Sequence, residues 1–163
     1  MADKSNFSTD EWKLLLESVM MAGMAVTAAE PSGLWGLLKE SFASGKALAK
    51  VKLSDGGNPL IRAVVADFDT SEGRSAARDG LKAKLAGANG AEIKNRCIET
   101  LGQVGALLDA KAPGDAAAFK AWLQQISQGV AEAATEGGFG GTLVSDAEKA
   151  TLEEISNTLN HPV

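Results

Sequence analysis

The sequence predicts an all-α protein, a single-domain helical bundle of six to seven helices whose neighbours are mostly antiparallel. Apolar residues recur at three- and four-residue spacing along most of the 163 positions. Capping motifs and proline or glycine breaks divide the chain into segments of helical length, and no segment alternates apolar and polar residues as a strand does. Alanine, the strongest helix former, occupies 28 positions.

The first helix begins with a capping box, in which Ser8 is the N-cap and Glu11 follows three residues later. Phe7 and Trp12 occupy the two positions of a hydrophobic staple, which fixes the direction in which the chain enters the helix. The helix is predicted to last until about Ala29, because a proline soon afterwards disfavours helical backbone angles in the residue before it.

The later helices follow from signals of the same kind, namely N-cap residues, proline at a first helical position and glycine-rich breaks. Six further helices are thereby predicted at about 32–54, 59–68, 73–86, 91–111, 115–136 and 146–159. The break at 137–141 contains four glycines, which could cradle an anion or simply connect two helices. The acidic residues around it favour the connector.

No linker divides the chain, so residues 1–163 are interpreted as one helical domain with frayed ends at 1–6 and 160–163. A domain of this length buries roughly 70% of the surface of its unfolded chain and needs no disulfide or metal to fold. The N-terminus carries no apolar run of the signal-peptide or membrane-spanning kind. The expectation is therefore a cytoplasmic protein without membrane insertion.

Large apolar side chains and small residues are expected to share the core. The predicted anchors are Trp12, Trp35, Phe119 and Trp122. Glycine inside a helix costs roughly 0.5–1 kcal/mol relative to alanine, so helix-interior glycines are expected where two helices cross closely. These glycines are Gly23, Gly102, Gly105 and Gly129. The single cysteine, Cys97, lies in a helical segment and is expected to pack as a small apolar residue.

Composition excludes several kinds of chemistry. The formal net charge is −5, and the densest basic stretch, Lys39 to Lys52, is interpreted as a solvated face, so no nucleic-acid binding is expected. One histidine, His161 near the C-terminus, and one cysteine are too few for the common Cys/His zinc sites. They also make a Ser-His-Asp or Cys-His nucleophilic device improbable. The chain is therefore expected not to be an enzyme.

Carboxylates are the remaining candidates for a site. Glu136, Asp146 and Glu148 surround the glycine-rich break, and Glu30 and Glu40 flank an earlier turn. Ca²⁺ and Mg²⁺ prefer several oxygen ligands, so these five residues are the candidate metal ligands, and no other cofactor is expected. In the alternative interpretation, acids in the first turn of the last helix cap it and interact with its dipole.

The segment 130–159 resembles the tellurite-resistance TerB family. The similar motifs are Ala134-Thr135-Glu136-Gly137 and Val144-Ser145-Asp146-Ala147-Glu148, followed by Leu152 and Ile155. The resemblance implies an all-helical bundle linked to stress response, with metal-binding acids that match Glu136 and Glu148. The chain also resembles bacterial families of small alanine-rich helical proteins, and that second resemblance implies no function.

Two functional hypotheses follow from the sequence. The first is a non-enzymatic helical-bundle protein that acts through a protein partner or by forming a homo-oligomer. The second is a divalent-cation-binding stress-response protein, as the TerB resemblance implies. The first is based on the small number of side chains suited to catalysis, and the second is based on the carboxylates around residues 137–141.

Overall fold

The structure is a computed structural model that describes residues 3–28, 58–136 and 146–160. These residues are helical and contain no strand, which confirms the all-α prediction. A short 3₁₀ helix, Lys4–Asn6, precedes α1 (Thr9–Ala28), α2 (Pro59–Phe68), α3 (Ser71–Leu85), α4 (Gly90–Lys111), α5 (Pro113–Glu136) and α6 (Asp146–Asn160). In this part of the chain no helix is both long and apolar enough to cross a membrane. The predicted helix at 32–54, Trp35 and the basic stretch at 39–52 lie outside the described residues.

The start of α1 confirms the predicted capping box and staple. The Ser8 backbone N–H donates to Glu11 Oε2 at 2.8 Å, and the Glu11 N–H donates to Ser8 Oγ at 3.2 Å. The Phe7 and Trp12 rings pack with centroids 5.9 Å apart. A hydrogen bond from Lys111 and a second from the Ser8 backbone lower the pKa of Glu11. Local and long-range contacts therefore agree on where this helix begins.

Asn58 and Pro59 also act as predicted, because the Asn58 side chain accepts hydrogen bonds from two N–H groups in the first turn of α2. Helix α5 begins at Pro113, two residues before its predicted start. Proline has no N–H to leave unsatisfied at a first helical position and its φ angle suits the helix, so Pro113 starts α5 as well as ending α4.

Frayed ends were expected at 1–6 and 160–163, whereas Lys4–Asn6 form a 3₁₀ helix and α6 includes Asn160. Asp3 caps the 3₁₀ helix through its side chain, and Lys4 forms a salt bridge with Asp67 at 3.1 Å. The cap satisfies backbone groups locally, and the salt bridge ties the segment to α2. Residues 161–163 lie outside the described part of the chain.

Helix α1 lies at the centre of the described fold and contacts each of the five other α-helices. Its buried side chains point in every direction around the helix axis, as expected of a helix enclosed by others. They include Trp12, Leu15, Leu16, Val19, Met21, Ala22, Met24, Ala25 and Val26. A salt bridge of 2.8 Å joins Glu11 at the start of α1 to Lys111 at the end of α4. These two extensively packed helices therefore run antiparallel.

Helix α3 also packs on α1, but in the opposite sense to α4. Its first turn contributes Gly73 to a cleft that Trp12 of α1 also lines. Its last turn contributes Lys84, which pairs with Glu17 one and a half turns further along α1. The two helices thus run in the same sense, whereas α1 and α4 run antiparallel; neither pair is adjacent in the chain, so the prediction for adjacent helices does not concern them.

The aromatic anchors within the described residues are core residues, as predicted. Trp122 and Phe119 have no exposed surface, and their rings meet edge to face with centroids 5.2 Å apart. Trp12 is 3% exposed. Full burial of a large apolar side chain contributes about 1.5–3 kcal/mol to folding, so these residues carry much of the stability of the bundle.

The helix-interior glycines divide into two kinds. A Cβ at Gly102 of α4 would lie 3.1 Å from Thr158 Cγ2 of α6, which confirms the predicted close crossing at that position. A Cβ at Gly129 of α5 would meet no atom of the described residues within 4 Å, so no close crossing is found there among them. Gly23 and Gly105 are buried within their helices.

Candidate functional site

The described residues form a cleft of about 300 Å³ between the N-terminal segment, the start of α1 and the corner where α2 meets α3. Two aromatic residues that line it, Phe7 and Trp12, are almost fully buried. Hydroxyl and charged side chains also line it, namely Lys4, Ser8, Thr9, Lys13, Asp67 and Glu72. Concave sites that combine aromatic surface with a few convergent polar groups are those that proteins use for binding.

Asp67 is the centre of the polar contacts in this cleft. Its Oδ2 accepts a hydrogen bond from Trp12 Nε1 at 2.6 Å and another from Lys4 Nζ at 3.1 Å. The same ammonium nitrogen lies 5.8 Å from the centroid of the Trp12 ring. Lys4 is therefore attracted both by a carboxylate and by the electron-rich face of an indole.

The turn between α2 and α3 fixes the backbone of Asp67. The Asp67 carbonyl oxygen accepts hydrogen bonds from Thr70 Oγ1 at 2.7 Å and from the Thr70 N–H at 3.0 Å. Thr70 Oγ1 in turn accepts from the Gly73 N–H at 3.0 Å, which caps α3. A Cβ at residue 73 would overlap the Asp67 carbonyl oxygen and lie 2.6 Å from its carbon. The absence of a side chain at Gly73 therefore allows the tight turn that presents Asp67 to the cleft.

A second polar cluster joins α1, α3 and α4. The Glu17 carboxylate is almost fully buried and accepts a hydrogen bond from Lys84 Nζ at 2.5 Å. A Cβ at Gly80 would overlap Glu17 Oε1, so glycine at this position leaves room for the carboxylate. The Lys84 carbonyl oxygen accepts from Arg96 at 2.8 Å. Because Glu17 faces a lysine of its own chain at a helix interface, we interpret the pair as a structural contact.

The carboxylates predicted to bind a metal are placed only in part. Asp146 is the exposed first residue of α6, Glu136 is the last residue of α5, and Glu148 lies in the first turn of α6. The side chains of Glu136 and Glu148, and the whole of Glu30 and Glu40, lie outside the described residues, as does the break at 137–141. Among the described side chains, no group of three or more histidines, cysteines or acids is disposed to hold a metal ion. The cation site stays a prediction.

Cys97 packs as the sequence predicts. It is fully buried in α4, and burial raises the pKa of its thiol to about 12. The thiolate is the reactive form of cysteine, and a thiol with this pKa stays protonated at neutral pH. Cys97 is therefore a core residue rather than a candidate nucleophile, and His161 lies outside the described residues.

No protein-family model, curated protein or solved structure matches this chain. The TerB resemblance of residues 130–159 therefore stays a prediction. The geometry of the described residues is the remaining basis for a functional proposal.

The cleft contains two residues that sequence reasoning did not single out, Lys4 and Asp67. Lys4 belongs to a segment expected to be frayed, and Asp67 is one of several acids near the end of a short helix. The partial signal was at Trp12, because an indole N–H in a buried position needs an acceptor. The identity of that acceptor, 55 residues further along the chain, depends on how α2 packs against the N-terminal segment.

Proposed function

We propose that this chain is a non-enzymatic cytoplasmic helical protein that acts by binding another protein, or a second copy of itself, through the cleft around Trp12 and Asp67. The observation that carries the proposal is the combination, in one concave surface, of two aromatic residues with the Asp67 and Lys4 charges. The two aromatic rings are already buried and form a rigid wall, and the Asp67 and Lys4 charges are the groups that a partner would contact.

The charges around the cleft support a polypeptide partner. Lys4 and Lys13 are balanced by Asp67 and Glu72, so the surface presents both signs within a short distance. The hydroxyl groups of nearby Ser8 and Thr9 belong to exposed residues. A polypeptide offers hydrogen-bond donors, acceptors and side chains of either charge, and such a mixed surface can match it by complementarity.

Site-specific photo-cross-linking tests this proposal. A photoreactive amino acid is placed at Thr9, an exposed residue lining the cleft, and in a control protein at Lys149, an exposed residue of α6. Both proteins are irradiated in purified form and in a lysate of the cells that naturally produce the chain. We expect a discrete cross-linked product from position 9 and none of that mass from position 149.

A charge reversal sharpens the result. Glu72→Lys alters the cleft, whereas Glu153→Lys makes the same change on an exposed residue elsewhere. We expect the first variant to reduce the yield of the position-9 product at least threefold and the second to leave it unchanged. A product in the purified protein identifies self-association, and one confined to the lysate identifies a different partner. The proposal fails if position 9 yields no product, or if both positions yield the same one.

A divalent-cation-binding stress protein is the second candidate function, and one observation favours it. Glu136 ends α5 and Asp146 begins α6, so both acids flank the connection at 137–145. If they and Glu148 share a cation, titration calorimetry with Ca²⁺, Mg²⁺ and Mn²⁺ should show saturable heat that Asp146→Asn reduces. Asp79→Asn, at an exposed position of α3, is the matched control. An absence of heat at millimolar metal would exclude this function.

A further inference from the structure

We propose that the cleft is a binding site for the side-chain ammonium group of a lysine on a partner polypeptide, and that Lys4 occupies this site in the free protein. The inference rests on the proposed function and names the chemistry of the partner. Its basis is that the protein already holds one ammonium there, 3.1 Å from Asp67 Oδ2 and 5.8 Å from the centre of the Trp12 ring.

The receptor for the ammonium is preformed. Trp12 is anchored in the core by its ring and donates its N–H to Asp67 at 2.6 Å. The Asp67 backbone is held by the Thr70 hydroxyl and N–H groups in the α2–α3 turn. Neither the carboxylate nor the indole has to be reorganised when one ammonium replaces another, and a preorganised site loses little affinity to ordering.

Lys4 is an occupant that a partner can displace. Its side chain is 64% exposed, compared with 19% for Asp67, so the pair lies at the surface on the lysine side. Lys4 belongs to a 3₁₀ helix of three residues whose residues are all exposed. Exposed ion pairs of this kind are weak because water and salt screen them. A partner lysine that also forms contacts elsewhere in the cleft is therefore expected to displace Lys4.

The size and chemistry of the cleft favour a polypeptide over a free amine. A cleft of about 300 Å³ has room for more than an ammonium group and its alkyl stem. Ser8 and Thr9 line it with hydroxyl groups, and Lys13 and Glu72 add one charge of each sign. These groups can bind the amides that flank a lysine in a peptide, whereas a simple alkylammonium has no groups to meet them.

The test uses NMR of the full-length protein, with the Trp12 indole N–H resonance as the reporter. That resonance is assigned by its absence in Trp12→Phe, or through sequential assignment if this variant does not fold. The Lys4→Ala protein is titrated with N-acetyl-lysine methylamide, with N-acetyl-norleucine methylamide, which lacks the ammonium group, and with n-butylammonium, which lacks the amides. We expect a saturable shift with the lysine compound and at least fivefold weaker binding of the other two.

Wild type supplies the competition measurement. An exposed salt bridge contributes up to about 1 kcal/mol, which is about a fivefold change in an equilibrium constant. Because Lys4 competes for the site, the wild-type protein should bind the lysine compound up to about fivefold more weakly than Lys4→Ala. Lys149→Ala, which removes an exposed lysine from α6, should bind it as wild type does.

Three outcomes overturn the inference. The first is that the lysine compound does not shift the Trp12 resonance of Lys4→Ala. The second is that the norleucine compound shifts it as much as the lysine compound does. The third is that n-butylammonium binds as tightly as the lysine compound, which would assign the site to free amines. Cross-linking at position 9 without a response to the lysine compound would leave the proposed function standing and remove this inference. A response to the lysine compound without cross-linking would remove the proposed function and the partner polypeptide with it, and would leave only an ammonium site.

Discussion

Replacing Trp122 by alanine should lower the free energy of unfolding by about 3–5 kcal/mol, the range measured when large aromatic core residues are truncated. Trp122 has no exposed surface and packs edge to face on Phe119, so truncation removes buried apolar area and leaves a cavity at the centre of α5. Denaturant unfolding followed by circular dichroism measures the change. A loss below about 1 kcal/mol would contradict the placement of Trp122 in the core.

A pair of phenylalanine variants separates packing from hydrogen bonding. Among the described residues, Trp122 Nε1 is a buried side-chain nitrogen without a hydrogen-bond partner, whereas Trp12 Nε1 donates to Asp67. A hydrogen bond to a charged group contributes about 1.5–3 kcal/mol, so Trp12→Phe should cost more than Trp122→Phe although both residues are buried. Equal losses would show that the bond to Asp67 contributes little.

Replacing Gly73 by alanine is the second change with a large expected effect. The added methyl group would overlap the Asp67 carbonyl oxygen, and that oxygen belongs to the backbone and cannot rotate away as a side-chain tip could. Overpacking of this kind costs about 1–3 kcal/mol and occasionally more. We expect a loss of stability in that range in the same unfolding experiment, together with a shift of the Trp12 indole resonance as Asp67 moves.

Gly129→Ala is the matched control for Gly73→Ala. Residue 129 lies inside α5, and a Cβ there would meet no atom of the described part of the chain within 4 Å. Alanine is favoured over glycine in a helix interior, so this variant should gain roughly 0.5–1 kcal/mol of stability. If Gly73→Ala were as stable as wild type, the turn would accommodate a side chain, and glycine at this position would not be what positions Asp67.

Much of the fold could be predicted because its signals are local. The Ser8–Glu11 capping box and the Asn58-Pro59 start each involve residues within a few positions of one another, so the sequence contains both partners. The burial of Phe119 and Trp122 follows from their size and their helical spacing. The salt bridge from Lys4 to Asp67 could not be predicted in this way, because the two residues are distant in sequence.

The candidate site could not be predicted in the same way. Sequence reasoning chose the carboxylates at 30, 40, 136, 146 and 148 from their spacing around turns, and they stay predictions. Asp67 and Glu17 acquire their significance from partners on other helices, Trp12 in one case and Lys84 in the other. The sequence also did not show that Gly73 leaves room for the Asp67 backbone and Gly80 for the Glu17 carboxylate. Both glycines lie in a polar helix, and nothing near them in the sequence indicates these contacts.

For the described residues, the sequence by itself determined that the fold is helical, where most of the helices begin and end, and which aromatic anchors are buried. These properties depend on capping, backbone preference and apolar periodicity, which act over a few residues. Only the tertiary structure decided which acids pair with a lysine or an indole N–H and in which direction α3 runs along α1. It also decided which glycines lie against a residue from another part of the chain. Those properties depend on contacts between residues far apart in the chain, and helix packing, rather than local preference, sets them.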